Sequence, residues 1–188
     1  MWRSTLRFAL PLMMILVMAA APSCILDPEE KVEPPPPPEP YPARETREDC
    51  VTFLLRTYED HDGTAGIKYE ELLHPDYRFY LQPADVPPGE SPFLTRSEDI
   101  DGTQNFLFDN PAELSLTLDG SGWDSYPEIE GEPCIDCWSS TRKYNIRYQR
   151  ELEGTILIGD DSVVIIVAPD PSAEGKYVIR AIYDIDEI

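Results

Sequence analysis

The stretch Tyr69-Glu70-Glu71-Leu72-Leu73-His74-Pro75-Asp76-Tyr77-Arg78-Phe79 changes its apolar period part-way along. Tyr69, Leu72 and Leu73 recur at helical spacing, and Pro75 then closes the helix. Tyr77, Phe79 and Leu81 alternate with Asp76, Arg78 and Tyr80, the pattern of a half-buried strand. Upstream, Thr46-Arg47-Glu48-Asp49 reads as a helix start, with Thr46 as N-cap and acids in the first turn. Val51, Leu54, Leu55 and Tyr58 follow at i, i+3, i+4 and i+7, so this helix is amphipathic with one buried face and stops near His61-Asp62-Gly63. Downstream, a Pro-rich loop from Pro83 to Pro92 leads to a third helix. Ser97 is its expected cap, Glu98, Asp99 and Asp101 lie early, and Phe106-Leu107-Phe108 lie late. Gly102 weakens it.

After Asn110 the pattern is strand and turn. Leu114, Leu116 and Leu118 alternate with Ser115 and Thr117; Tyr144, Ile146 and Tyr148 alternate with Asn145 and Arg147. Thr155 to Ile158 and Val163 to Val167 flank Gly159-Asp160-Asp161-Ser162, which predicts a hairpin. Val163-Val164-Ile165-Ile166-Val167 is apolar on both faces and belongs in the middle of a sheet. Tyr177, Ile179, Ala181, Tyr183 and Ile185 should line one face of the last strand. Helices first, then a long antiparallel sheet, is the order of an α+β domain.

The N-terminal region is organised differently. Arg3 and Arg7 precede an apolar run from Phe8 to Ala21, too short for a membrane span and fitting the h-region of a signal peptide. The run ends Ala21-Pro22-Ser23-Cys24, which resembles the lipobox of bacterial lipoproteins. That resemblance implies a signal peptide over 1–23, lipidation of Cys24 with fatty-acyl chains such as palmitate, and a membrane-anchored place in the bacterial cell envelope, with the leaflet open. Cleavage without lipidation leaves a free thiol instead. Residues 24–45, with Glu33-Pro34-Pro35-Pro36-Pro37-Pro38-Glu39-Pro40, read as an extended stalk. Residues 46–188 read as one domain.

The chain carries 15 Lys and Arg against 36 Asp and Glu, a net charge of -21. Such a surface excludes phosphate-backbone binding, so no nucleic-acid partner is expected. It is also repelled by anionic headgroups, so attachment to a membrane must come from lipid.

Three segments of the domain resemble the NTF2-like superfamily, the α+β cone of SnoaL-type and ketosteroid-isomerase-type proteins, and within it a group of bacterial lipoproteins. They are Tyr69 to Phe79; Leu94-Thr95-Arg96-Ser97-Glu98-Asp99 leading into Asn105-Phe106-Leu107-Phe108; and Tyr177-Val178-Ile179-Arg180-Ala181-Ile182-Tyr183-Asp184, where Tyr177 and Ile182 stand in the family's tryptophan positions. The resemblance implies a curved sheet around a cavity that helices cover. Some relatives use that cavity for acid–base chemistry on small hydrophobic molecules; others bind or dimerise, which implies a homodimer through the sheet and a small hydrophobic ligand as candidate partners.

An enzyme of this kind needs a cavity carboxylate or His and an oxyanion donor. His61 and His74 both read as solvated, with His74 complementing a helix C-terminus. Asp184 is the best cavity acid, with Tyr80 and Arg147 as donors; a polar sheet face gives the same pattern without catalysis. Asp60 to Glu71 superficially resembles a calcium loop, but Ala65 stands where the turn needs Gly, so no metal and no cofactor is expected. Cys134-Ile135-Asp136-Cys137 fits a local disulfide, a redox dithiol or half a zinc site. Glu128, Glu130, Glu132 and Asp136 argue against a stabilised thiolate, which favours the structural bridge. Cys50 reads as an inert buried thiol, with a bridge to that segment as the alternative. The loop holding Trp123, Tyr126 and Trp138 offers aromatics to a ligand or to its own domain. The sequence therefore favours a lipid-anchored, non-enzymatic binding or structural module with no catalytic residues, over a small-molecule isomerase or lyase. A cavity holding a buried carboxylate within reach of a donor favours the enzyme; a filled or dry apolar cavity favours the module.

Overall fold

A computed structural model of the chain describes residues 40–60, 64–108, 113–150 and 154–185. The elements are α1 (Arg47–Glu59), α2 (Ala65–Leu72), β1 (Leu73–Tyr80), β2 (Phe93–Thr95), α3 (Arg96–Phe108), β3 (Glu113–Asp119), β4 (Asp124–Ser125), β5 (Glu128–Ile129), β6 (Glu132–Pro133), β7 (Trp138–Arg150), β8 (Gly154–Pro169) and β9 (Tyr177–Ile185). Among the described residues no helix is long and apolar enough to cross a membrane. Cys24 and the proline run lie outside the described residues.

Helix α1 begins with a capping box. Asp49 N–H donates to Thr46 Oγ1 at 3.2 Å and Thr46 N–H to Asp49 Oδ2 at 2.9 Å, an arrangement worth about 1 kcal/mol. Helix α3 is capped earlier than Ser97 suggests. Thr95 N–H donates to Glu98 at 2.8 Å and Glu98 N–H to Thr95 Oγ1 at 3.4 Å, so Thr95 with Glu98 makes the box. The stop after α2 is immediate, because Leu73 is already extended and opens β1. Pro75 therefore sits inside the strand, in a stretch of irregular register between Leu73 and Arg78 where its missing N–H interrupts no ladder.

The main sheet runs β2-β1-β9-β8-β7-β3, with β4 on β7. Every pairing is antiparallel except β1 with β9, which is parallel, so the sheet is mixed. Strand β8 is central, as its two-sided apolar run requires: Ile165, Ile166 and Val167 are all fully buried. No hairpin forms at Gly159–Ser162. The stretches on both sides of Gly159-Asp160 pair with β7, and Ile158 opposite Ile146 and Asp161 opposite Tyr144 leave one extra residue on β8, a bulge within one long strand. A second bulge falls at Arg180, because Ile166 pairs with Ala181 but Val167 with Ile179. It resets the side-chain phase of β9: Ile179 and Ile182 face the helices, while Ala181 and Tyr183 face the other way. The expected single stripe from Tyr177 to Ile185 is thereby split between two faces.

The inner face of the sheet packs against α1, α2 and α3 through Val51, Leu54, Tyr69, Leu72, Ile100, Ile165 and Ile179. The outer face has its own cluster, with Tyr80, Ile166, Ala168 and Ala181 covered by Ile129 and Cys137 of the 120–137 insertion. Strands β5 and β6 turn at Glu130-Gly131, both with positive φ (52° and 84°), as a two-residue hairpin demands. Cys134 and Cys137 are disulfide-bonded, Cα atoms 5.5 Å apart. The folded contacts also extend upstream of Thr46. Tyr41 packs on Phe53, its hydroxyl donating to Asp60 at 3.0 Å, and Arg44 pairs with Asp170 at 3.3 Å.

Candidate functional site

Between the helices and the inner sheet face lies a cavity of about 230 Å³. Leu54 and Tyr58 of α1, Tyr69 of α2, Asp99 and Thr103 of α3, Phe79 of β1, Leu116 and Leu118 of β3, Tyr144 and Ile146 of β7, Val163 and Ile165 of β8, and Ile182 of β9 form its wall. Most of this lining is apolar. Ile182 reaches it because the Arg180 bulge turns it inward.

The polar feature of the wall is Asp99, whose residue is only 8% exposed. Tyr69 Oη donates to Asp99 Oδ2 at 2.6 Å, a short bond to a buried carboxyl. The Tyr77 hydroxyl is buried near the same carboxyl and Tyr69, yet makes no hydrogen bond of its own among the described residues. Burial first, and nearby Asp99 second, hold the Tyr58 phenol up, while its bond with Thr103 pulls it back in part. Burial pushes the Asp99 carboxyl above its ordinary value, while the tyrosine hydroxyls pull it back in part. Tyr69 and Tyr77 are themselves raised well above the usual phenol value, first by burial. Among the described lining residues, Asp99 is the only carboxylate and there is no Lys, Arg or His.

The residues singled out by the sequence lie elsewhere. Asp184 is half-buried at the far end of β9, off the cavity wall, and accepts from Gln82 Nε2 at 3.2 Å. Tyr80 lies on the outer face, stacked on Tyr183 at 4.2 Å, because β1 alternates and Tyr77 and Phe79 take the inner positions. Arg147 is exposed, on the face of β7 opposite Ile146 and Tyr148. Asp99, not Asp184, is therefore the cavity acid. Its signal was present, since positions 99 and 103 share a helical face next to buried Ile100, but Asp99 stood out in the sequence only as one of the acids early in the third helix.

His61 falls outside the described residues. His74 sits at the start of β1, where burial and Arg180 lower its pKa, and its Nδ1 accepts from the Asp76 N–H at 3.0 Å. A cation complementing the preceding helix is not what this environment favours. In the segment that resembles a calcium loop, helix α2 has already begun at Ala65. Glu70 and Glu71 there are engaged by Arg96 and Lys68. Among the described residues no group of three or more His, Cys, Asp and Glu is placed to hold a metal. Cys50 is fully buried on α1, and burial pushes its thiol up to about 12.

Trp123 of the insertion and Trp138 at the start of β7 pack on their own domain. Trp123 Nε1 donates to Glu48 at 3.3 Å, and Arg47 lies over the Trp138 ring at 3.7 Å. Arg142, its side chain 2% exposed, makes a two-pronged bond to Glu48 at 3.1 and 2.7 Å and another to Ser140 at 3.0 Å. Glu48 is correspondingly lowered from its ordinary value, chiefly by Arg142. This cluster ties β7 and the insertion to α1. On the outer face a smaller hollow of about 70 Å³ is bordered by Arg78, Arg180, Glu130 and Glu132, with Arg78 paired to Glu130.

No protein-family model matches the sequence, and none of the curated proteins matches it. Solved structures do match. One is an NTF2-like superfamily protein from Salmonella enterica serovar Typhimurium: TM-score 0.51, 13% identity, covering 74% of this chain and 87% of that one. Another is Aln2 from a Streptomyces species: TM-score 0.52, 12% identity, 78% and 94% covered. The fold is the NTF2-like α+β fold. At this identity the likeness stops there, and chemistry must be argued from this chain's own side chains.

Proposed function

We propose that this is an exported bacterial envelope protein, held to a membrane by lipid on Cys24, whose NTF2-like domain binds a small, largely apolar molecule in its cavity without transforming it. The observation that carries the binding reading is the wall itself: apolar and aromatic side chains from α1, α2 and five strands surrounding one buried carboxyl–phenol pair, with the carboxyl supplied by α3. Pockets of this make-up, apolar with one or two placed polar groups, suit small ligands. The h-region and Cys24 support the anchor. The insertion occupies the part of the outer sheet face it covers, so the reading assigns no homodimer across that part.

The second reading is an isomerase or lyase. One observation favours it: Asp99 is a buried carboxyl in a cavity, within reach of a donor, its pKa moved toward neutrality. Binding without chemistry is preferred because Tyr69 spends its proton on Asp99 itself and Tyr58 is engaged with Thr103, so neither stands ready for a developing oxyanion.

Native mass spectrometry of the protein released from its own membranes tests the first reading. A small-molecule adduct should be present and should vanish in Leu116→Trp, which fills the cavity. An adduct that survives that substitution refutes the pocket. Turnover of a bound compound, abolished by Asp99→Asn with binding retained, establishes the second reading instead. For the anchor, Cys24→Ala should move the protein out of the detergent phase; a variant that still follows the detergent refutes it.

A further inference from the structure

We propose that the cavity takes an organic cation, an amine with a compact apolar or aromatic body, whose ammonium group pairs with Asp99. This rests on the pocket reading above and names its ligand class. Three observations carry it. First, the wall has a carboxyl but no cation among its described residues, and a buried carboxylate needs a partner of opposite charge or several donors. The arginines near the fold's other acids are committed: Arg142 to Glu48, Arg78 to Glu130, Arg96 to Glu70, Arg44 to Asp170. Second, Tyr58, Tyr69, Phe79 and Tyr144 bring four aromatic rings to the wall, whose negative faces attract cations. Third, the carboxylates of Asp184, Asp161 and Asp85 lie near Tyr144, adding to burial in holding its phenol up. With a net charge of -21 behind them, they make that end of the cavity attractive to cations and repulsive to carboxylates.

The volume of about 230 Å³ equals that of about eight waters at ~30 Å³ each, room for a compact ligand only. The groups that face Asp99 are the hydroxyls of Tyr58, Tyr69 and Tyr77, of which Tyr69 donates to it and Tyr58 is engaged with Thr103. An ammonium meeting the ionised carboxylate moves no proton. Where Asp99 is protonated, binding releases its proton to solvent, so affinity falls as the pH is lowered.

The test compares three probes that share one ring by isothermal titration calorimetry at pH 7: 2-phenylethylamine, 2-phenylethanol and phenylacetate. The amine should bind at least tenfold more tightly than the alcohol, and phenylacetate more weakly than either. Asp99→Asn should remove the preference, leaving amine and alcohol alike. Tyr144→Leu, which removes a ring and leaves Asp99 in place, should weaken the amine severalfold and the alcohol less, and covers the case in which Asp99→Asn misfolds. Equal binding of amine and alcohol, tighter phenylacetate, or no amine binding overturns the inference. Alcohol binding that Leu116→Trp blocks, without any preference for the amine, leaves the pocket standing while the cation falls.

Discussion

Tyr69→Phe removes one hydroxyl and nothing else from the cavity wall. In the native protein that hydroxyl lies 2.6 Å from Asp99 Oδ2, with both residues buried. A hydrogen bond to a charged group contributes about 1.5–3 kcal/mol, against about 0.5–1.5 kcal/mol between neutral partners. The Tyr69 bond favours the carboxylate, while burial disfavours it and keeps the folded-state pKa above the ordinary 3.8. Asp99's own contribution to stability is therefore fully present below that ordinary value and is lost as pH rises through the raised folded value. Above the folded value Asp99 is ionised and Tyr69→Phe costs the larger figure; at acid pH it is protonated and the cost falls to the smaller one. For a domain of this size the larger cost corresponds to about 5–10 °C in Tm. Urea unfolding of both proteins from pH 4 to pH 8 measures it. A cost below about 0.5 kcal/mol throughout, or one that does not shrink toward acid pH, refutes the assignment of a charged, buried Asp99 bonded by Tyr69.

Glu48→Ala should cost about 2 kcal/mol at pH 7, because it strands the buried Arg142 guanidinium, and less than the full buried-pair figure because Glu48 is half in solvent. The Glu48 pKa is depressed, so this contribution is present above 4.5 and is lost as pH falls through the folded value; a chemical-denaturation pH series that shows no such fade contradicts the pairing. Reducing the Cys134–Cys137 bridge should cost about 2 kcal/mol from its short loop and increase amide exchange at Ile129 and Cys137 first; unchanged exchange there would show that the bridge does not hold the insertion on the outer face. Gly120→Ala should destabilise by about 1–3 kcal/mol, since Gly120 has φ +141° and an added Cβ would sit 2.8 Å from the Thr141 carbonyl oxygen; a melt within about 1 °C of wild type rules this out.

What the sequence made legible was periodicity. Thr46 with its acids, the helix-to-strand change at Leu73, and the inward Leu114–Leu116 and Ile146–Tyr148 positions are all local patterns, and the fold they imply is the one found. What it hid was phase. Gly159-Asp160 bulges a strand where a turn was expected, and Arg180 shifts β9 by one residue; both are set by the register of a partner strand, which a single stretch does not encode. That shift redistributes the faces of the last strand. The cavity acid was hidden for a different reason: α3 packs its first turn against Tyr69, so a carboxylate that reads as helix-start solvent chemistry is buried. The pairing of a first-turn acid with a tyrosine thirty residues earlier is a tertiary fact.

Methyl-resolved NMR during titration with the same three phenyl probes tests most directly whether the cavity is where a ligand sits. Shifts should be confined to the cavity methyls of Leu54, Leu116, Leu118, Ile146, Val163, Ile165 and Ile182, saturating with the amine first, with silence at Ile129 and Ile166 on the outer face. Shifts centred on the outer face, or none on the cavity methyls with any of the three, would contradict a ligand seated in the cavity.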